Sequence, residues 1–224
     1  MTSFSDPVAV SGYAERTEQL EPGLHHLHRM AGLLLAERAA SDAHVLVLGA
    51  GGGMELSVLS QMQPNWRFLG VDPSAAMLDL ARTRLGEAAS RVGFHEGYID
   101  SVPDGPFDAA ICLLTLHFLP EPERLKTLRA IADRLKPGAP FVAAHYSFPT
   151  EGADMDKWLM RNAAFAVASG VPAAQAANGA RALKERLPVL SPSRDEALLG
   201  EAGFLDVELF YAGLAFKGWV GYRK

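Results

Sequence analysis

Short apolar runs alternate along this chain with stretches whose apolar residues recur at helical spacing. His44–Leu48 (HVLVL), Arg67–Val71 (RFLGV), Val92–Glu96, Ala109–Leu114 (AAICLL), Phe141–Ala144, Val207–Tyr211 and Phe216–Tyr222 read as strands. HVLVL and AAICLL are apolar almost without interruption, the mark of central strands covered on both faces. Between the runs the spacing predicts helices over Glu55–Gln61, Ser74–Leu85 and Glu123–Leu135, with Pro122 near the start of the last and Lys136-Pro137-Gly138 stopping it. Strands alternating with helices predict an α/β fold with a mainly parallel sheet.

Two segments stand outside that alternation. An amphipathic helix over Pro22–Ala40 precedes the first strand and is expected to pack over the mouth of the sheet, so that residues 1–40 act as a lid. Residues 147–192 are rich in alanine, with Trp158, Met160 and Phe165 at helical spacing and breaks at Gly170, Pro172 and Pro188. They read as an inserted helical hairpin, its aromatic and Met positions either lining a pocket or packing the hairpin. Ser193-Arg194-Asp195-Glu196 matches a capping box opening a helix that ends at Gly203.

The 224 residues suit a single domain, 1–224, and 49% hydrophobic with 21% charged residues is an ordinary globular balance. The 21 Lys and Arg against 26 Asp and Glu give a net charge of −5 with no basic block, so nucleic acid is not the expected partner and a small molecule is. No apolar stretch approaches a membrane span, and Met1–Val10 lacks a signal-peptide pattern. One cysteine, Cys112, excludes an internal disulfide and sits in an apolar strand, as a core residue does. A cytoplasmic protein is expected, with a homodimer as one option. His25, His26 and His28 invite a metal reading, but no further ligand stands at matching spacing, and a helix face is the expectation.

The chemistry concentrates in Gly49-Ala50-Gly51-Gly52-Gly53-Met54-Glu55, where a buried strand runs into glycines and then a helix. Glycines there allow positive φ and let a ligand approach the backbone. A dinucleotide fingerprint needs a small residue at position 54, and Met54 disfavours it. Gly70-Val71-Asp72 ends the next strand nineteen residues past Gly53, where a carboxylate can accept both ribose hydroxyl protons. The alternatives are a plain tight turn for the glycines and a helix cap for Asp72.

From Leu46 to Gly138 the runs VLGAGGG, GVDPSAAML, FDAAICLLTLHFL and LKPGA resemble, in order and spacing, the class I S-adenosylmethionine-dependent methyltransferases. The flanks, Tyr13–Arg16 with Leu20–Pro22 and Glu201–Phe204, are similar to a subgroup that includes the carboxy-S-adenosylmethionine synthases. The resemblance implies a Rossmann-like seven-stranded sheet, helices on both faces, the last strand antiparallel, and S-adenosylmethionine as cofactor. It implies that Gly49, Ala50 and Gly51 line the methionine and ribose, that Asp72 holds the ribose hydroxyls, and that Pro73 and Met77 flank the adenine. It also places Leu114 and Thr115 under the methionine moiety and brings in Tyr13 and Arg16 from the N-terminal segment. Two acids of the pattern are missing. Val47 stands where one precedes the first glycine, and Glu96–Asp100 holds no acid for the adenine amino group unless Asp100 serves, which leaves backbone groups of Tyr98 and Ile99.

Methyl transfer needs proximity and water exclusion more than a strong catalytic motif. His117, His145 and Tyr146 fall near the transferable methyl, as bases or as hydrogen-bonding wall. The resemblance leaves synthase-like transfer onto the cofactor, and binding without turnover, as alternatives. In the synthases an arginine stands before the Ala-Gly-Phe turn; here Leu198 holds that place, with Arg194 one turn earlier.

Overall fold

The computed structural model describes residues 12–224; the start of the expected lid and the Met1–Val10 segment lie outside them. Seven strands form one sheet: β1 (His44–Leu48), β2 (Arg67–Asp72), β3 (Val92–Glu96), β4 (Ala109–Leu113), β5 (Pro140–Tyr146), β6 (Phe204–Gly213) and β7 (Phe216–Arg223). Their order is β3-β2-β1-β4-β5-β7-β6. β1 to β5 run parallel, and β7 inserts antiparallel between β5 and β6.

Alternation along β1 divides the core, since successive side chains of a strand face opposite ways. Val45 and Val47 pack with Leu27 and Leu35 of α2 (Leu24–Ala36), Leu56 and Leu59 of α3 (Met54–Met62) and Leu78 of α4 (Ala75–Leu85). Leu46 and Leu48 face the other layer, with Leu128 and Ile131 of α5 (Glu121–Asp133) and Leu198 of α8 (Pro192–Glu201).

The expected 22–40 helix is α2, shorter at both ends, and a separate helix α1 (Tyr13–Leu20) precedes it, parted at Glu21–Gly23, where Gly23 takes a left-handed φ of 75° that a continuous helix cannot hold. The insertion is the expected hairpin, α6 (Ala153–Ala168) and α7 (Ala173–Arg186), turning at Gly170. Its exit differs from expectation by two residues. Ser191, not Ser193, caps α8 by accepting from the Arg194 N–H at 3.3 Å, because Pro192 takes the first helical position. Among the described residues no helix is long and apolar enough to cross a membrane.

Candidate functional site

In open parallel sheets, ligands bind outside the strand C-termini where the strand order reverses, here between β1 and β4. A cleft of about 370 Å³ opens at that point. Its floor is the β1–α3 loop, in which Gly49, Gly51 and Gly53 all have positive φ. A Cβ at Gly49 would stand 1.9 Å from Thr115 Oγ1, and one at Gly53 2.9 Å from Ala81. The N–H groups of Gly49 and Ala50 donate to the Val71 carbonyl at 2.8 and 2.9 Å, and Arg84 Nε donates to the Gly52 carbonyl at 2.8 Å. The loop is therefore tied to β2 and α4, and its glycines let Thr115 and Ala81 pack against the backbone that borders the cleft.

Asp72 Oδ2 accepts from the Gly51 N–H at 3.0 Å and Oδ1 from the Ser74 N–H at 2.9 Å. The cap of α4 is Ser74, whose Oγ accepts from the Met77 N–H at 3.3 Å. Each Asp72 oxygen keeps acceptor capacity for a ligand hydroxyl. Burial raises its carboxyl above the ordinary value, opposed by the N–H bonds from Ser74 and Gly51.

The cleft brings together Tyr13, Gly49, Gly51, Asp72, Pro73, Met77, Tyr98, Ile99, Leu114 and Thr115. Ala50 lies in a small adjoining recess with Tyr13, His28 and Glu55. Arg16 borders a neighbouring cavity rather than the cleft. Leu114 is held at φ 55°, a left-handed conformation costing about 1–3 kcal/mol in a residue with a Cβ, at the turn that delivers Thr115. Asp100 is no adenine acid: it pairs with Lys126 Nζ at 2.7 Å on the surface.

The structure sets the two histidines behind the site. His117 is 3% exposed, and its Nδ1 accepts from the Tyr146 N–H at 3.4 Å. Burial and the neighbouring His145 pull its pKa well below the ordinary value, so the ring is neutral. His145 is buried against Trp219, with Nε2 3.2 Å from Asp195 Oδ1. Asp195 also takes a bond from Arg124 Nη1 at 2.5 Å, and Arg124 Nη2 donates to the Pro188 carbonyl at 2.9 Å. Burial alone would raise the Asp195 carboxyl, but His145 and Arg124 carry it below its ordinary value. This cluster joins α5, β5, α8 and the end of the insertion. Neither histidine borders the cleft, and Tyr146 faces the cavity beside it.

The sequence reading passed over Phe118, Leu119, Thr127 and Glu55. Phe118 shares the tight turn Leu116–Phe118 with His117, and the turn sends the phenylalanine to the cleft and the histidine inward. Thr127 comes from α5 and carried no signal. Glu55 was visible two residues past the last glycine. It is 7% exposed, and burial pushes its carboxyl up to about 8, its own N–H opposing and Asp72 adding to the rise.

Met160 is 71% exposed, and the face of α6 turned inward is Leu159, Asn162 and Ala166. His25 and His26 are exposed while His28 is buried, and no metal-holding group of three ligands occurs among the described residues. Cys112 is buried. Leu198 is wholly buried in the core, and Arg194 is paired with Glu121 at 2.7 Å and Glu201 at 2.6 Å.

A methyltransferase-domain family model matches residues 45–138, the strands and loops that build this cleft. The carboxy-S-adenosyl-L-methionine synthase of Chromohalobacter salexigens is 28% identical over 99% of this chain and 83% of its own length. Among solved structures, an O-methyltransferase family protein from Burkholderia thailandensis superposes with a TM-score of 0.67 at 17% identity over 90% of this chain. The Haloferax volcanii complex of the Trm112 methyltransferase activator with a methyltransferase matches at 0.64 and 18% identity, over 98% of this chain and 97% of that one. This chain spans 56% of the Burkholderia protein and 57% of the S-adenosylmethionine-dependent methyltransferase SibL. Over residues 45–138 this chain is similar to a methyltransferase domain, and its fold is that of the S-adenosylmethionine-dependent methyltransferases among the solved structures.

Proposed function

We propose that this chain transfers the methyl group of S-adenosylmethionine to a small-molecule acceptor. The observation that carries the reading is the pairing of the Gly49 and Gly51 backbone, which borders the cleft at positive φ, with an Asp72 carboxylate bonded to that same loop. Bound in the cleft, the cofactor supplies an electrophilic methyl group on a sulfonium. Asp72 accepts from the ribose hydroxyls, Pro73 and Met77 border the adenine, and backbone groups of Tyr98 and Ile99 meet its edge. Glu55 stands in for the acid missing at Val47. It shares a recess with Gly49, Ala50 and Leu114, and a carboxyl held near 8 by burial ionises when a cation such as the methionine ammonium arrives. Thr115 and Leu114 bear on the methionine chain, and the helix carrying Tyr13 closes one side. The buried, neutral His117 and the Asp195-bound His145 position the β5 end rather than touch substrate.

The lack of a basic block favours a small molecule over nucleic acid, and the single cysteine suits a cytoplasmic protein, with self-association open. The synthase relatives favour a second reading, transfer of a carboxylated group onto the cofactor. An added carboxylate needs a cationic partner, and Leu198 in the core with Arg194 already paired twice speaks against it. Incubation of the protein with S-adenosylmethionine and prephenate, followed by mass spectrometry, separates the two. Unmodified cofactor is expected, and detection of a carboxylated sulfonium would replace the proposal with synthase chemistry and point to Arg194.

A further inference from the structure

A second cavity lies between α1, the end of β5 and the two insertion helices. Its volume is about 190 Å³, and it shares no lining residue with the cleft. Helix α1 serves both: Tyr13 borders the cleft and Arg16, one turn further, borders the cavity. Small and apolar side chains such as Leu159, Ala163, Ala166 and Ala176 make most of its wall.

Arg16, Gln19, Gln175, Tyr146 and Asn162 are the polar residues of that wall, and the last two are incompletely bonded. Asn162 is 6% exposed; its Nδ2 donates to the Tyr146 hydroxyl oxygen at 3.5 Å, while its Oδ1 has no partner. The Tyr146 hydroxyl, accepting from the amide, keeps its own proton to donate. A buried amide oxygen with nothing to accept is rare in folded proteins and calls for an N–H or O–H donor from outside the chain. Arg16 is at the exposed rim. A carboxylate ligand carries no N–H or O–H to give the amide oxygen, whereas a neutral hydroxyl or amino group does. Size bounds the rest, since a cavity of roughly 150 Å³ holds one benzene molecule.

We infer that this cavity is the acceptor site, and that it takes a single-ring, largely apolar molecule whose hydroxyl or amino group donates to Asn162 Oδ1 and accepts from the Tyr146 hydroxyl. Its role as an acceptor site rests on the methyl-transfer reading; its selectivity as a binding site does not.

The test is calorimetric titration of the full chain, with and without S-adenosylhomocysteine, using 4-methylphenol, 4-methylaniline, toluene and benzoate as probes. Binding of 4-methylphenol or 4-methylaniline is expected, at least tenfold tighter than toluene or benzoate, and whichever is favoured tells an oxygen from a nitrogen acceptor. Asn162→Leu should weaken that probe at least tenfold, Tyr146→Phe about fivefold, and Ala166→Phe should block it by filling the space. S-adenosylhomocysteine affinity should stay within twofold in all three. Benzoate binding as tightly as 4-methylphenol, no binding of either donor probe, or affinities indifferent to Tyr146→Phe and Ala166→Phe would overturn the inference. If the probes behave as expected while S-adenosylhomocysteine does not bind the wild type, the site stands and the methyl-transfer reading falls.

Discussion

The cleft over β1 and β2 and the cavity under the insertion are neighbours built on opposite plans. In the cleft, backbone does most of the shaping: glycines at positive φ, the Gly49 and Ala50 N–H groups tied to β2, and one carboxylate fixed by the N–H groups of Gly51 and Ser74. In the cavity the shape comes from alanine and leucine side chains on separate elements, and selectivity falls to an amide whose oxygen lacks a partner and the phenol beside it. A backbone-built site is the same for every chain with that loop. A side-chain-built one is particular to the chain that has it, and here that is the half expected to choose the acceptor.

The largest effect that would sharpen this contrast lies at the hinge between the halves. Asp195→Ala leaves Arg124 buried without its counter-charge, a change that costs about 3–5 kcal/mol when a buried pair is broken. Chemical denaturation should show the loss, while S-adenosylmethionine affinity of the folded fraction should stay within a few-fold. A large fall in cofactor affinity would mean that the two halves are not separable. Asp72→Asn should do the reverse. Charge-assisted hydrogen bonds contribute about 1.5–3 kcal/mol each, so cofactor affinity should drop more than tenfold with little change in melting temperature; an unchanged dissociation constant would put the ribose elsewhere.

A smaller effect, dependent on pH, belongs to Glu21. Burial holds its carboxyl at about 8 against an ordinary 4.5, so the folded state favours the protonated form. Its contribution is present in full below about pH 4.5 and is lost as pH rises toward 8. Glu21→Gln escapes that loss, and its stability relative to wild type should grow between pH 5 and pH 8, reaching about 4 kcal/mol. A difference independent of pH would show that Glu21 is ionised in the fold. The smallest effect is Ser191→Ala, which removes the α8 cap where the insertion rejoins the core and should cost about 1 kcal/mol in denaturant unfolding. No change there would return the capping role to Ser193.

The same contrast explains what could be read in the sequence. The seven strands, the order of glycine loop and Asp72, and the hairpin turn at Gly170 were all legible, because each is a local pattern of period, φ and spacing. The separate helix α1 was not, since none of its residues is buried in the core. The direction of His117 was misjudged because a tight turn, not the residue type, decides which of two neighbours faces a ligand. Asn162 and Tyr146 lie sixteen residues apart on different elements, and the Arg124–Asp195 pair bridges seventy-one. Pairings of that range follow from the packing of α5, α6 and α8 and leave no mark along the chain. Glu55 was legible and unread, because Val47 marked an absence without saying where the compensating acid would stand.

Calorimetric titration of the purified chain with S-adenosylmethionine and, in parallel, with NAD tests the central claim most directly. Gly53 packs against Ala81 with no room for a Cβ, and Met54 borders the recess where a dinucleotide fingerprint wants a small residue. S-adenosylmethionine is therefore predicted to bind at least tenfold tighter than NAD, a difference of about 1.4 kcal/mol or more. NAD binding as tightly as S-adenosylmethionine, or no heat from S-adenosylmethionine at all, would contradict the account.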